Sequence, residues 1–283
     1  MTLTLPRVTV FALLITLGLS SGANATPQQC YDAYERDDYT SAYRLCQTEA
    51  ARGDVTAQFL VGTMYSSGSG VPQSDKTAVV WYRKSAVQGN VLGQYNLGTM
   101  YEDGSGVPQS FEQAVVWYRK AADQGNAAGQ YNLGRLYEFG RGVPKNDKTA
   151  VAWYRKSADQ GIALGQVSLG RMYQFGRGVP KSDKTAVAWY RKSADQGTAY
   201  GQYYLGIMYE SGRGVPKSFE TAVAWYRKSA DQGNVLGQFS LGTMYEYGRG
   251  VPKSDKTAVA WYRKAATQGD TDAKAALTRL GAP

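Results

Sequence analysis

The chain has 283 residues, with 32 Lys and Arg against 23 Asp and Glu, a net charge of +9, two cysteines and no histidine. Without histidine there is no Ser-His-Asp triad, no Cys-His pair, and none of the commonest metal ligand. The basic surplus favours an acidic partner, although charge alone says nothing about fold.

Residues 1–25 read as a secretory signal peptide. Arg7 gives a basic start, Val8 to Leu19 form an apolar run, and Ala23-Asn24-Ala25 offers a small-x-small cleavage site. The run is too short to span a bilayer comfortably, and an uncleaved N-terminal anchor is the competing reading. The mature chain is then expected to begin at Thr26, outside the cytoplasm. No cysteine directly follows the cleavage site, so no lipid attachment is expected there.

Residues 26–53 read as an N-terminal capping hairpin of two short helices, Gln28 to Arg36 and Tyr39 to Arg52, reversed at Asp37-Asp38. Cys30 and Cys46 fall one on each arm. Export permits a disulfide between them, which a loop of this length would make worth about 3 kcal/mol. Two buried free thiols are the alternative.

From residue 54 onward tryptophan recurs at 81, 117, 153, 189, 225 and 261, every 36 residues, each followed by Tyr-Arg-Lys. A fixed period of this size means one small unit stacked many times. Six units follow, 54–89, 90–125, 126–161, 162–197, 198–233 and 234–269, and residues 270–283 close the array with a polar capping helix. In residues 90–125, Asn90 caps a first helix, as Asp54, Asn126, Thr198, Asn234 and Asp270 do in their units; Ile162 departs. Gly93, Leu97, Gly98 and Tyr101 share one face at helical spacing. Interior glycine costs a helix about 1 kcal/mol, so its return at two columns implies a neighbouring helix too close for a Cβ. Gly104-Ser105-Gly106-Val107-Pro108 is a turn and not a phosphate cradle, since no strand precedes it and no Gly-Lys-Ser/Thr follows. Ser110 caps a second helix, with Gln113 placed to close a capping box. Ala114, Trp117, Tyr118 and Ala121-Ala122 form its buried face, and Gly125 ends it.

The run Gln94-x-x-Leu97-Gly98-x-x-Tyr101, Gly104-x-Gly106-Val107-Pro108, Ala114-x-x-Trp117-Tyr118-x-x-Ala121-Ala122 and Gln124-Gly125 resembles the Sel1-like repeat, a relative of the tetratricopeptide repeat. The resemblance implies an all-α fold, a right-handed α/α superhelical solenoid whose concave wall is made by the first helix of each hairpin. It also implies a protein-binding role without cofactor.

Columns 3, 7, 10 and 14 of the unit vary most between copies and share one face of the first helix. Analogy with tetratricopeptide arrays puts that face in the groove. It carries Arg135 and Phe139 in the third unit, Arg171 and Phe175 in the fourth, Tyr200, Tyr204 and Ile207 in the fifth and Tyr247 in the sixth. Aromatic and Arg side chains dominate binding hot spots, so these eight are the candidate partner-binding residues. Plain packing between repeats is the alternative. Residues 126–269 hold 21 Lys and Arg against 10 Asp and Glu, whereas residues 26–125 hold 8 against 11. Arg141, Arg177, Arg213 and Arg249 recur in the turns and are expected to form a basic edge that steers an acidic protein partner. A merely solvated edge is the alternative. Anionic lipid or glycan is a secondary candidate for this edge. Nucleic acid is not, because an exported chain without a reading motif would not meet it.

No Gly-x-Ser-x-Gly, no Ser-x-x-Lys and no Lys-Thr-Gly occurs. Asp123, Asp159, Asp195 and Asp231 recur at one solvated column, and no acid–base pair stands out from the repeat. The β-lactamase-like, penicillin-binding activity described for cysteine-rich relatives is therefore a remote alternative. A non-catalytic periplasmic binding protein, monomeric on its own, is expected. Its best specific reading is an immunity protein gripping a lipid-degrading toxin. An adaptor or regulator of envelope signalling or polysaccharide export is the second.

Overall fold

The structure, a computed structural model, describes residues 26–282, so the expected signal peptide lies outside the described residues. Among these residues there are fifteen helices and no strand. Helices α1 (Pro27–Glu35) and α2 (Tyr39–Ala51) make the opening hairpin. Six two-helix repeats follow: α3 (Val55–Ser67) with α4 (Asp75–Val87), α5 (Val91–Asp103) with α6 (Phe111–Asp123), and α7 (Ala127–Phe139) with α8 (Asp147–Asp159). The last three are α9 (Ala163–Phe175) with α10 (Asp183–Asp195), α11 (Ala199–Ser211) with α12 (Phe219–Asp231), and α13 (Val235–Tyr247) with α14 (Asp255–Thr267). Helix α15 (Thr271–Arg279) closes the stack. Each helix packs chiefly on the ones before and after it in the chain, the arrangement of an α/α solenoid.

Glycine sets the spacing. A Cβ on Gly98 would lie 2.7 Å from the Tyr118 ring, so α5 and α6 can only approach this closely without one. Gly106 sits at φ +70°, where a side chain is strained, and a Cβ there would meet the backbone of Asp75 and Lys76. The turn of one repeat is thereby seated on the start of the preceding second helix. The tryptophans lie along the second helices, Trp117 and Trp153 buried and the others partly so, each with the Lys three residues on over its ring, such as Lys84 Nζ 4.1 Å from the Trp81 centroid.

Two of the expected caps differ. Thr198 turns its hydroxyl back to the Ser193 carbonyl at 2.8 Å, so α11 starts without a side-chain cap, as α9 does at Ile162. Ser110 accepts from the Gln113 backbone amide at 3.2 Å, but its own backbone N–H donates to the Tyr101 carbonyl at 2.9 Å, so no reciprocal box forms. The box that does close is Thr26 with Gln29, ahead of α1.

A polar ladder that composition hides stitches the repeats together. Gln94 is buried and donates to the Ala86 carbonyl of the preceding repeat at 3.1 Å, while Gln124 donates to the Gln94 side chain at 2.8 Å. The pattern recurs along the array, as with Gln130 and Gln160. Buried amides with every partner in place fix one register between neighbours.

Cys30 and Cys46 are bonded, with Cα atoms 4.8 Å apart, and both are fully buried between α1 and α2. Replacing both by serine should lower amide protection across residues 27–51 about a hundredfold, the equivalent of about 3 kcal/mol, and leave the central repeats unchanged. Hydrogen exchange read by mass spectrometry checks this. Unaltered protection would mean that packing on α3 alone holds the hairpin.

Candidate functional site: the inner wall of the solenoid

The first helices form the inner wall. Helices α9 and α11, and α11 and α13, touch each other directly, whereas successive second helices are held farther apart. On this wall Phe139, Phe175, Tyr200 and Tyr247 remain 46–57% exposed, among the most open large apolar side chains of the described residues. The Arg141 guanidinium lies 5.8 Å from the Phe139 centroid, and that of Arg249 lies 5.4 Å from Tyr247. Two shallow clefts flank these rings. One of about 260 Å³ lies where α11 and α13 begin, walled by Tyr200 and Leu236. The other, of about 320 Å³, lies between α13 and α15 and includes Tyr247, Asp272 and Arg279.

The eight expected groove residues do not all stand free. Tyr204 stacks on Tyr190 with centroids 5.1 Å apart and planes 16° from parallel. Ile207 packs on the core cluster of Val223, Tyr226 and Leu241. Arg135 is half-buried and ion-paired with Glu102 of the preceding repeat. Each of these three spends contacts on the fold, which is the packing alternative to their reading as partner-binding residues. Arg171, Phe175, Phe139, Tyr200 and Tyr247 are left open to a partner. Leu236, which shares column 3 with Tyr200, joins them as an exposed apolar side chain.

The arginines of the expected basic edge are mostly paired. Arg177 pairs with Glu138 at 2.8 Å and with Asp147 at 2.9 Å. Arg213 pairs with Asp183 at 2.7 Å, and Arg249 with Glu210 at 3.6 Å. Each bond crosses from one repeat to the one before, so these side chains clamp neighbours as well as carry charge. Arg141, stacked between Phe111 and Phe139, makes no ion pair among the described residues.

Behind the clamps runs a column of acceptors on the first helices. Tyr118, Tyr154, Tyr226 and Tyr262 donate their hydroxyls to Glu102, Glu138, Glu210 and Glu246, and Tyr190 donates to Gln174. Glu102 and Glu138 receive arginines from the next repeat, and Glu246 receives Arg279 from the capping helix. Burial, then the adjacent Glu138, push the Tyr154 phenol well above its ordinary value, so it remains a donor. Burial works against the Glu246 charge, but hydrogen bonds from Tyr262 and Arg279 hold its carboxyl below the usual range. The Arg213 hydrogen bond does the same for Asp183.

A depressed folded pKa gives stability that is present above the unfolded value of about 4 and is lost as pH falls through the folded value. The melting temperature should therefore hold from about pH 7 to 5 and drop below about 4. A D183N/E246Q variant should melt lower than wild type at neutral pH and converge with it below about pH 3. A gap constant with pH would show that the charges are not what these residues contribute.

The Sel1 repeat family model matches residues 55–90, 91–126, 127–162, 163–198, 199–234 and 235–270. These windows begin one residue after each N-cap. The chain is similar to the crystal structure of c5321, a protective antigen present in uropathogenic Escherichia coli strains displaying an SLR fold. That similarity has 38% identity and a TM-score of 0.77, and covers 84% of this chain and 50% of that one. This chain thus spans half the length of that antigen. It is also similar to a Sel1 repeat protein from Oxalobacter formigenes, at 33% identity and TM-score 0.81, over 87% of this chain and 97% of that one. The immunity protein Pa5087 from Pseudomonas aeruginosa matches at 21% identity and TM-score 0.49, over 75% and 81% of the two chains, and is too distant to bear on function. Comparison with curated proteins gives no match.

Proposed function

Because the chain belongs to the Sel1 repeat family, whose solenoids are in general non-catalytic protein-binding scaffolds, we propose that it grips a protein partner along its inner wall. The observation that carries this reading is the set of open aromatic rings at Phe139, Phe175, Tyr200 and Tyr247. Elsewhere on the first helices large apolar side chains are mostly packed; here four remain uncovered on one face, with Arg171 among them. Rigid aromatic rings bring large contact area at little entropic cost.

The specific reading is an immunity protein, exported to the periplasm, that neutralises a toxin delivered by a neighbouring cell. Export rests on Arg7, the apolar run Val8 to Leu19 and Ala23-Asn24-Ala25. A bonded Cys30–Cys46 pair agrees with an oxidising compartment. An inhibitor must reach its target before damage is done. The positive surplus of residues 126–269 would quicken association with an acidic partner, and a ready-built groove avoids an ordering step. A tagged chain purified from periplasmic extract after cross-linking should bring down a secreted enzyme whose activity falls to zero at one equivalent. A partner retained with full activity, or one belonging to a signalling or export assembly, would transfer the chain to the adaptor reading.

A further inference from the structure

Column 10 of the repeat carries three arginines, and among the described residues two of them have an anion. Arg135 is bound to Glu102 of the preceding repeat, and Arg279 of the closing helix is bound to Glu246 at 2.7 Å. Arg171 occupies the same column in the fourth repeat, and its equivalent acceptor is Glu138. That carboxylate instead accepts from Arg177 at 2.8 Å on one oxygen and from the Tyr154 hydroxyl at 2.5 Å on the other. Its own repeat offers no replacement, because the acceptor column holds Gln174 where the second, third, fifth and sixth repeats hold Glu. Among the described residues Arg171 makes no hydrogen bond or ion pair, although it is half-buried and close enough to Tyr131 and Tyr190 to act on both phenols. One cation of the ladder lacks its anion, four residues before the open ring of Phe175 on the same helix face.

We propose that this vacancy is filled by the partner: Arg171 receives an Asp or Glu carboxylate from a protein segment lying along the groove, with Phe139 and Phe175 holding apolar side chains on either side. The proposal rests on the groove reading and adds its chemistry. A carboxylate is the anion that column 10 takes elsewhere in this chain, and the planar guanidinium fork matches it with two parallel bonds. The neighbouring exposed rings suit the mixed apolar and acidic surface of a polypeptide. An inorganic phosphate would leave them uncovered. Because Arg171 spends no bond on the fold, binding need not break one.

Two pools of nine-residue peptides test this with the purified chain, one with Glu fixed at the centre, the other with Gln, and uncharged residues randomised elsewhere. The wild type should retain the Glu pool about tenfold over the Gln pool, the worth of a charge-assisted hydrogen bond. R171Q should retain both pools equally at the Gln level, with an unchanged helical signal. R171E should instead favour a pool centred on Lys. A double F139S/F175S variant should lose both pools, which reports on the groove itself. Glu preference that survives R171Q, or equal retention of the two pools by wild type, overturns the carboxylate proposal while the groove stands. Peptide retention that is absent in wild type, or undiminished in F139S/F175S, overturns the groove reading and this proposal with it. Binding to phosphatidylglycerol vesicles that is lost in R171Q, with no peptide preference, would assign the vacancy to a lipid and equally overturn it.

Discussion

Replacing Glu138 by alanine should destabilise the protein by about 3 kcal/mol, the low end of the cost of stripping one partner from a buried charge pair. The carboxylate is 4% exposed and takes the Tyr154 hydroxyl at 2.5 Å and Arg177 at 2.8 Å. Alanine leaves the buried phenol without its acceptor and half of the Arg177 fork unpaired. Asp147 still holds that guanidinium at 2.9 Å, and this keeps the loss from being larger. Glutamine should cost only about 1 kcal/mol, within the range of a single hydrogen bond. The chain already contains that arrangement: Gln174 accepts from Tyr190 at 2.6 Å, and Arg213 settles on Asp183 and the Gln174 carbonyl instead. Urea midpoints of the two variants are the measurement. Equal losses for alanine and glutamine would mean that the acceptor column contributes through charge alone, and not through the shape and acceptor oxygen that glutamine keeps.

The 36-residue period, the six units and the helical hairpin are legible because packing columns recur: a repeat repeats the steric demands of its neighbours. Gly98 shows the limit of that legibility at its best. Its recurrence announces a close approach, and the ring of Tyr118 is what approaches. The turn arginines show it at its worst. Read along the chain, Arg177 and Arg213 are charges beside Gly and Pro, and nothing local marks the acids 30 residues earlier as their partners. Those pairs exist because stacking brings the turn of one repeat to the start of the second helix before it. Column 13 is equally silent: Glu102 lies between Tyr101 and Asp103 and Glu138 between Tyr137 and Phe139, with no local mark of burial, yet both are buried. A carboxylate recurring at one column, in register with a recurring Tyr sixteen residues on, was the available signal. Variation between copies separated the wall-facing columns from the packing columns. It could not separate Tyr204, which stacks on Tyr190, from Phe175, which stacks on nothing, because both are aromatic residues at variable positions.

That distinction decides which residues a binding test should remove. Phe139, Phe175 and Tyr200 truncated together to alanine should weaken capture of the partner by thirtyfold or more, since even one hot-spot ring is worth about 2 kcal/mol. The helical signal and melting temperature should stay near wild type, because these rings are about half exposed in the free chain and fill no core site. Tyr204 is left in place for the opposite reason. Its removal would strip the stacked face of the buried Tyr190 and confuse lost binding with lost stability. Thr63 and Thr99 are unsuitable as controls on the same face, since they accept hydrogen bonds from Tyr82 and Tyr118. Ser67 and Asp103 are better ones: they are exposed and occupy in the first two repeats the column that Phe139 and Phe175 occupy later. Their change to alanine should leave capture within about twofold, the usual range for surface positions outside a hot spot. Capture lost in the control and kept in the aromatic variant would move the site to the N-terminal repeats, where residues 26–125 carry a net negative charge, and the expected partner would then be basic.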